Sequence, residues 1–396
     1  ERRDRYATAA ETSKKFGSSD TVYIASGMNF ADAMSGSAAA GAGIEGLQSL
    51  PDDADKEIPV LLTRPDRIPP QTTEALQSLG AKRVVLVGGE TAISEKVADE
   101  LAASGLSVER ISGANRYETS ANVAKSFRGE VETLYIASGD EKSYADALAG
   151  SALAGSQDVP VLLTRPDRVL PTTMHAVSTL KPKNIVVLGG EAAVSPEVYE
   201  TLGATERLAG SDRYGTAVEI AKEFPAKSDF TGYATGMNWP DSLTGGAHAA
   251  KEGGPLLLTR PDRLPPVVSD YVAANPTTQN VIYGSEAAVS QTVEDALRGL
   301  LRSRTVQYLG LMSFSLYLVH EPVVVSLRLL THSISPWWVL ILAPLASAPL
   351  TWLFQRYIEA PSHRLARRTG ALTSARFAQW SERRRSGRAA GQVGEA

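Results

Sequence analysis

The sequence predicts an α/β protein built from three tandem copies of one small parallel sheet flanked by helices, followed by hydrophobic helices at its C-terminal end. Three observations predict it. The phrase Pro59-Val-Leu-Leu-Thr-Arg-Pro-Asp-Arg67 returns at 160–168 and, with one Leu for Val, at 255–263, so whole structural units repeat. Within each unit short apolar runs alternate with helix-like stretches, the pattern of parallel strands covered on both faces. From residue 298 onward the composition changes to arginine-rich and apolar.

The first copy shows the elements in order. Thr21-Val-Tyr-Ile-Ala25 reads as a strand ending at Ser26-Gly27, with a helix of small residues, Ala31–Gly43, opening near Asn29 or Asp32. Val60–Thr63 is a second strand, closed by the turn Arg64-Pro-Asp-Arg67. Pro70 opens a helix that stops at Gly80, because proline suits the first helical turn and glycine the position past the last. Arg83–Val87 is a third strand ending in Gly88-Gly89, and Ser94 is the expected N-cap of a helix over 95–103, its hydroxyl accepting an orphan N–H. Val108–Ile111 is a fourth strand, and Arg116-Tyr117 begins the next helix. The boundaries that follow are 1–113, 114–210 and 211–300 for the repeats, 301–370 for a hydrophobic helical segment and 371–396 for a basic tail. The first copy alone carries extra residues around 44–57, read as a surface loop.

The charge is unevenly divided. Residues 298–396 hold 13 arginines, no lysine and four glutamates, a net +9, whereas 27 basic and 40 acidic residues give 1–297 a net −13. An acidic body argues against nucleic acid as the partner. With no cysteine there is neither a disulfide framework nor a thiolate metal site; no metal or other cofactor is expected. Glu1–Tyr6 is charged and lacks an apolar stretch, and Arg5-Tyr6 matches Arg116-Tyr117 and Arg213-Tyr214, so the numbering is expected to open inside a longer precursor.

Comparison of the copies picks out Gly27/Gly139/Gly236, Asp32/Asp146/Asp241, Gly88/Gly189/Gly284, Glu90/Glu191/Glu286, Ser94/Ser195/Ser290 and Thr8/Thr119/Thr216. In a parallel sheet the strands' C-terminal ends share one edge, where ligands usually bind, and the glycines and arginine turns fall there. The candidate ligand-binding residues are therefore Ser26, Gly27, Asp32, Arg64 and Arg67; Ser138, Gly139, Asp146, Arg165 and Arg168; and Gly236, Asp241, Arg260 and Arg263. Arginine forks can hold carboxylate or phosphate oxygens. The plainer account is a rigid turn in which Arg pairs with its neighbouring Asp. For the recurring aspartates the plainer account is a cap at a helix start. Gly41-Ala-Gly43-Ile-Glu-Gly46 matches a dinucleotide pattern but follows a helix and does not recur, so it reads as a helix terminus. His175 and His248 have no counterparts in the other copies and read as ordinary helix residues, leaving no catalytic set.

Arg116-Tyr-Glu-Thr119, Ala25-Ser-Gly-Met-Asn-Phe-Ala-Asp-Ala33, the Pro-Val-Leu-Leu-Thr segments and Val87-Gly-Gly-Glu90 together resemble the cell-wall-binding type 2 repeats of Gram-positive surface proteins over about residues 1–297. That resemblance implies three repeats in pseudo-threefold arrangement, a secreted location at the cell wall, an anionic wall polysaccharide or teichoic-type polymer as partner, and no catalysis. The Leu-Leu segment of the family maps to Leu61-Leu62, Leu162-Leu163 and Leu257-Leu258, which as strand residues also suit a core.

The C-terminal stretch 336–354 is uncharged over a length that spans a bilayer, and 309–330 is a second candidate, weakened by His320, Glu321 and Arg328. Arginines flank both, and a single span over 336–354 would leave the repeats outside and the tail inside. Residues 313–322 and 356–361 resemble the closing segments of the membrane acyltransferase type 3 family. The part of that family bearing its catalytic histidine has no match here. The alternative function this suggests is a remnant of a membrane acyltransferase acting on wall glycans, targeted by the repeats.

Overall fold

The computed structural model describes residues 4–42, 58–127, 130–225 and 228–302. The chain opens with α1 (Arg5–Ser13) and a single 3₁₀ turn, Lys14–Phe16. There follow β1 (Thr21–Ser26), α2 (Phe30–Gly41), β2 (Val60–Thr63), α3 (Pro70–Leu79), β3 (Arg83–Val87), α4 (Glu95–Ala103) and β4 (Ser107–Ile111). The second round is α5 (Arg116–Ala124), β5 (Thr133–Ser138), α6 (Tyr144–Ser156), β6 (Val161–Thr164), α7 (Pro171–Leu180), β7 (Asn184–Leu188), α8 (Pro196–Leu202) and β8 (Glu206–Leu208). The third is α9 (Arg213–Lys222), β9 (Phe230–Thr235), α10 (Pro240–Lys251), β10 (Leu256–Thr259), α11 (Pro266–Ala274), β11 (Gln279–Tyr283) and α12 (Gln291–Arg302).

Each round folds into its own parallel sheet, in the orders β2-β1-β3-β4, β6-β5-β7-β8 and, among the described residues, β10-β9-β11. The first strand of each round is thus central, and its residues are buried on both faces. Tyr23 faces Val60 on one side and Val85 on the other, which fixes the register. Leu61-Leu62, Leu162-Leu163 and Leu257-Leu258 are fully buried core residues.

The three rounds are joined through α2, α6 and α10, which pack pairwise against one another. These helices are rich in Ala, Gly and Ser because each must approach a sheet on one side and two sister helices on the other. A side chain at Gly36, Gly150 or Gly245 would collide with Val87, Leu188 or Tyr283 of its own sheet, whereas Gly41 and Gly155 touch each other and Ala250. The Ser37 hydroxyl donates to the Leu243 carbonyl at 2.9 Å, tying the first round to the third.

The opening helices close a cycle: α5 packs on α2, α9 on α6, and α1 on α10. The N-caps Asp4, Asn115 and Asp212 each accept two backbone N–H groups, a local stabilisation of about 1 kcal/mol apiece. One apolar core runs through all three rounds as a result.

Ser94 sits at the N-cap of α4 as expected, but its hydroxyl makes no cap bond. Its backbone N–H instead donates to the Pro65 carbonyl at 2.9 Å, and Ser195 and Ser290 do the same to Pro166 and Pro261, anchoring each arginine turn. Among the described residues no helix is long and apolar enough to cross a membrane. The candidate spans at 309–330 and 336–354, the acyltransferase-like motifs and the insertion at 44–57 lie outside the described residues.

Candidate functional site

The residues shared by the three copies gather at the C-terminal sheet edges and at the junctions between successive rounds. After β1 the chain turns at Ser26-Gly27. The Ser26 hydroxyl accepts the Met28 N–H at 3.2 Å, and the Gly27 N–H donates to Thr63 at 2.8 Å. Ser138 and Thr235 build the same turn before Asp140 and Met237. Glycine is required at the next position because the ring of Tyr6, Tyr117 or Tyr214 lies directly over it. A Cβ there would approach the ring to 2.6, 2.6 and 2.9 Å at Gly27, Gly139 and Gly236.

The arginine beside each of those tyrosines closes the same loop. Arg5 donates to the Gly27 carbonyl, Arg116 to Gly139 at 2.8 Å and Arg213 to Gly236 at 2.6 Å. Its guanidinium also reaches back to the preceding round, lying over an aromatic ring there. Arg116 stacks on Phe30 at 5.1 Å, Arg213 on Tyr144 at 5.5 Å and Arg5 on Trp239 at 5.6 Å.

Two residues past each aromatic stands the recurring aspartate. It is not the helix cap that the sequence suggested; the cap positions are Asn29, Ser143 and Trp239, and Asp32, Asp146 and Asp241 fall in the first turn. The reason is that each carboxylate is used across the junction. Asp32 meets Thr119 and Arg116, Asp146 meets Thr216 and Arg213, and Asp241 meets Thr8 and Arg5. Their other neighbour is the glycine after the third strand. Gly88, Gly189 and Gly284 have φ of +115°, +100° and +114°, and a Cβ at any of them would come within 3 Å of the carboxylate. Burial pushes all three aspartate pKa values up, Asp146 to about 6, while the threonine hydroxyl and the arginine pull them back.

The arginine turns divide into two roles. Arg64, Arg165 and Arg260 lie over the rings of Tyr6, Tyr117 and Tyr214 at 5.2, 6.0 and 5.4 Å, so they buttress the loop from above. Arg67, Arg168 and Arg263 stand out in solvent and pair with Asp66, Asp167 and Asp262 at 2.9, 3.0 and 3.3 Å.

Where the third round meets the first, these groups border an open cleft of about 440 Å³, lined among others by Asp4, Arg5, Thr8, Met237, Asn238 and Asp241. That is within the ~300–1,000 Å³ of small-molecule sites. Among the described residues no cluster of three or more His, Asp or Glu could hold a metal. His175 is exposed on α7. His248 is buried, its Nδ1 2.6 Å from the Tyr283 hydroxyl, and burial lowers its pKa to about 4.

The geometry defines a ring of parallel-sheet units closed by identical Asp–Arg–Thr junctions. A family model, Cell wall binding domain 2 (CWB2), matches residues 3–98, 110–199 and 207–294, and the chain belongs to that family. It is 30% identical to the N-acetylmuramoyl-L-alanine amidase LytC of Bacillus subtilis over 304 residues, 76% of this chain and 58% of that protein. It is 28% identical to the amidase enhancer of the same organism over 64% of this chain and 35% of that protein. The chain thus spans little more than half, or less, of these relatives. The fold is shared with Cwp6 from Clostridium difficile, with a TM-score of 0.67 and 26% identity over 75% of this chain and 46% of that one. Cwp8 from the same organism superimposes with a TM-score of 0.64 at 24% identity, over 76% and 51%. The family matches stop at residue 294.

The Arg-Tyr pairs and Thr8/Thr119/Thr216 recur in the sequence but stand outside its candidate site residues. Phe30, Tyr144 and Trp239 are not among the candidate residues read from the sequence. The signal available for them was an aromatic residue two positions before each recurring aspartate.

Proposed function

We propose that this chain is a non-catalytic wall-attachment module that holds a surface protein to an anionic wall polysaccharide or teichoic-type polymer. The observation that carries the reading is the cyclic repetition of one junction and one exposed arginine turn three times on a single ring. Three weak sites on one periodic polymer gain avidity through effective concentration, without any new contact. Arg67, Arg168 and Arg263 are the groups free to reach a phosphate or carboxylate, since their present partners are solvent-exposed neighbours held by weak ion pairs. The junction residues Ser26, Gly27 and Asp32, with their counterparts, shape the loops beside them, and Arg64, Arg165 and Arg260 hold those loops rigid.

Membership of a wall-binding family and likeness to wall proteins support the partner class and a wall or extracellular location. A membrane tether through the C-terminal segment rests on its apolar composition alone. The test is retention by purified wall polymer. The triple variant Arg67→Ala, Arg168→Ala and Arg263→Ala should lose retention as salt rises well before the wild type does. Equal retention at every salt concentration would remove these arginines from the site.

A further inference from the structure

Resting on the wall-polymer reading, we propose that the cleft between the third and first rounds is a subsite for an N-acetylated sugar, with Met237 as the wall that receives the acetyl methyl group. Met237 is 55% exposed and Met28, at the equivalent place in the first round, is 62% exposed. Neither is a loose end. In all three rounds the residue after the loop glycine is held by the same turn, its N–H donated to a Ser or Thr hydroxyl at 3.2 Å. The backbone therefore displays whatever side chain stands there, and the chain places Met, Asp140 and Met in the three positions. A polarisable, unbranched thioether held outward beside a cleft is an adaptable apolar contact.

The polar groups around it suit an acetamido group. The Asn238 side-chain oxygen is engaged by the Trp239 N–H at 3.0 Å, which leaves its amide NH₂ to donate to a ligand carbonyl. Arg5 borders the same cleft, and Asp241 and Asp4 supply acceptors for an amide N–H or for ring hydroxyls. One methyl wall, one carbonyl donor and one N–H acceptor are what distinguish an acetamido substituent from a hydroxyl or an ammonium. At the second-to-third junction the display position is Asp140, and the loop that follows carries Glu141, paired with Arg116 at 3.6 Å. The exposed methionine thus recurs at the first-to-second junction, whereas Asp140 sets the second-to-third apart.

The experiment measures binding of three β-1,4-linked tetrasaccharides to the full chain: chitotetraose, its fully de-N-acetylated form, and cellotetraose. They carry acetamido, ammonium and hydroxyl at the same carbon. Chitotetraose should bind about tenfold or more tightly than either of the others. That preference should disappear when Met28→Asp and Met237→Asp copy the second round, with thermal stability unchanged because both side chains are exposed. Equal affinity for the three sugars, no binding of chitotetraose, or an unaltered preference in the variant would overturn the inference. Retention of the wild type by wall polymer, measured alongside, separates that outcome from failure of the wall-polymer reading itself.

Discussion

The buried junctions and the exposed arginine turns repeat equally well in sequence, yet they do different work. At a junction the aspartate, threonine and arginine come from two successive rounds and meet in the packing between them. At a turn, the guanidinium groups of Arg67 and its counterparts stand in solvent and pair with an adjacent aspartate. Recurrence within one chain therefore marks two things, closure of a ring and presentation of a surface. Burial is what separates them.

Substitutions can sharpen that contrast. The largest effect is expected on the axis, where a Cβ at Gly155 would lie 2.9 Å from Ala250 Cβ and 3.1 Å from Gly41 Cα. Gly155→Leu should cost about 3 kcal/mol in denaturant unfolding, since neither sister helix can withdraw without opening the ring. At the junctions, Arg116→Ala should cost about 1–3 kcal/mol because the Gly139 carbonyl loses its donor and the buried Asp32 carboxylate loses its nearby positive charge. Combined with Asp32→Asn it should cost clearly less than the sum of the two single changes, as electrostatically coupled residues do.

The junction carboxylates also set a pH dependence. The folded pKa of Asp146, about 6, lies above its ordinary 3.8, so the native state binds the proton more tightly. The resulting stability is fully present below pH 3.8 and is lost as pH rises through 6. Thermal stability should accordingly increase from pH 7.5 to 5, by about 1–2 kcal/mol from this group, and Asp146→Asn should flatten that slope. A slope unchanged in the variant would place the titrating group elsewhere. Smallest of all, removing Arg67, Arg168 and Arg263 should alter stability by less than about 0.5 kcal/mol, as expected for solvent-exposed ion pairs.

Much of the architecture was legible in the sequence because its signals are local. The apolar runs, Pro70, Gly80 and Gly88-Gly89 mark strands and helix ends by the chemistry of a few adjacent residues, and the structure has β1–β4 and α2–α5 accordingly. The plain account of the arginine turns, pairing with the neighbouring aspartate, holds for Arg67, Arg168 and Arg263 for the same local reason. What could not be read was anything settled between distant segments. Asp32 looks like a helix cap because its true partners, Thr119 and Arg116, belong to the next round. Arg64 looks like a ligand-binding or aspartate-paired turn residue because Tyr6, the ring it covers, lies on the opening helix. The closing contact of α1 on α10 joins the start of the chain to its third round, which no local pattern encodes.

The most direct trial of the account is stepwise. Purified Gram-positive sacculi are mixed with the wild type and with variants that lose the exposed arginine in one, two or all three rounds. Three equivalent faces gripping a periodic polymer predict retention that falls by a similar factor at each step, whichever round is changed first. Wild-type protein left entirely in the supernatant, or loss confined to one particular round, would contradict it.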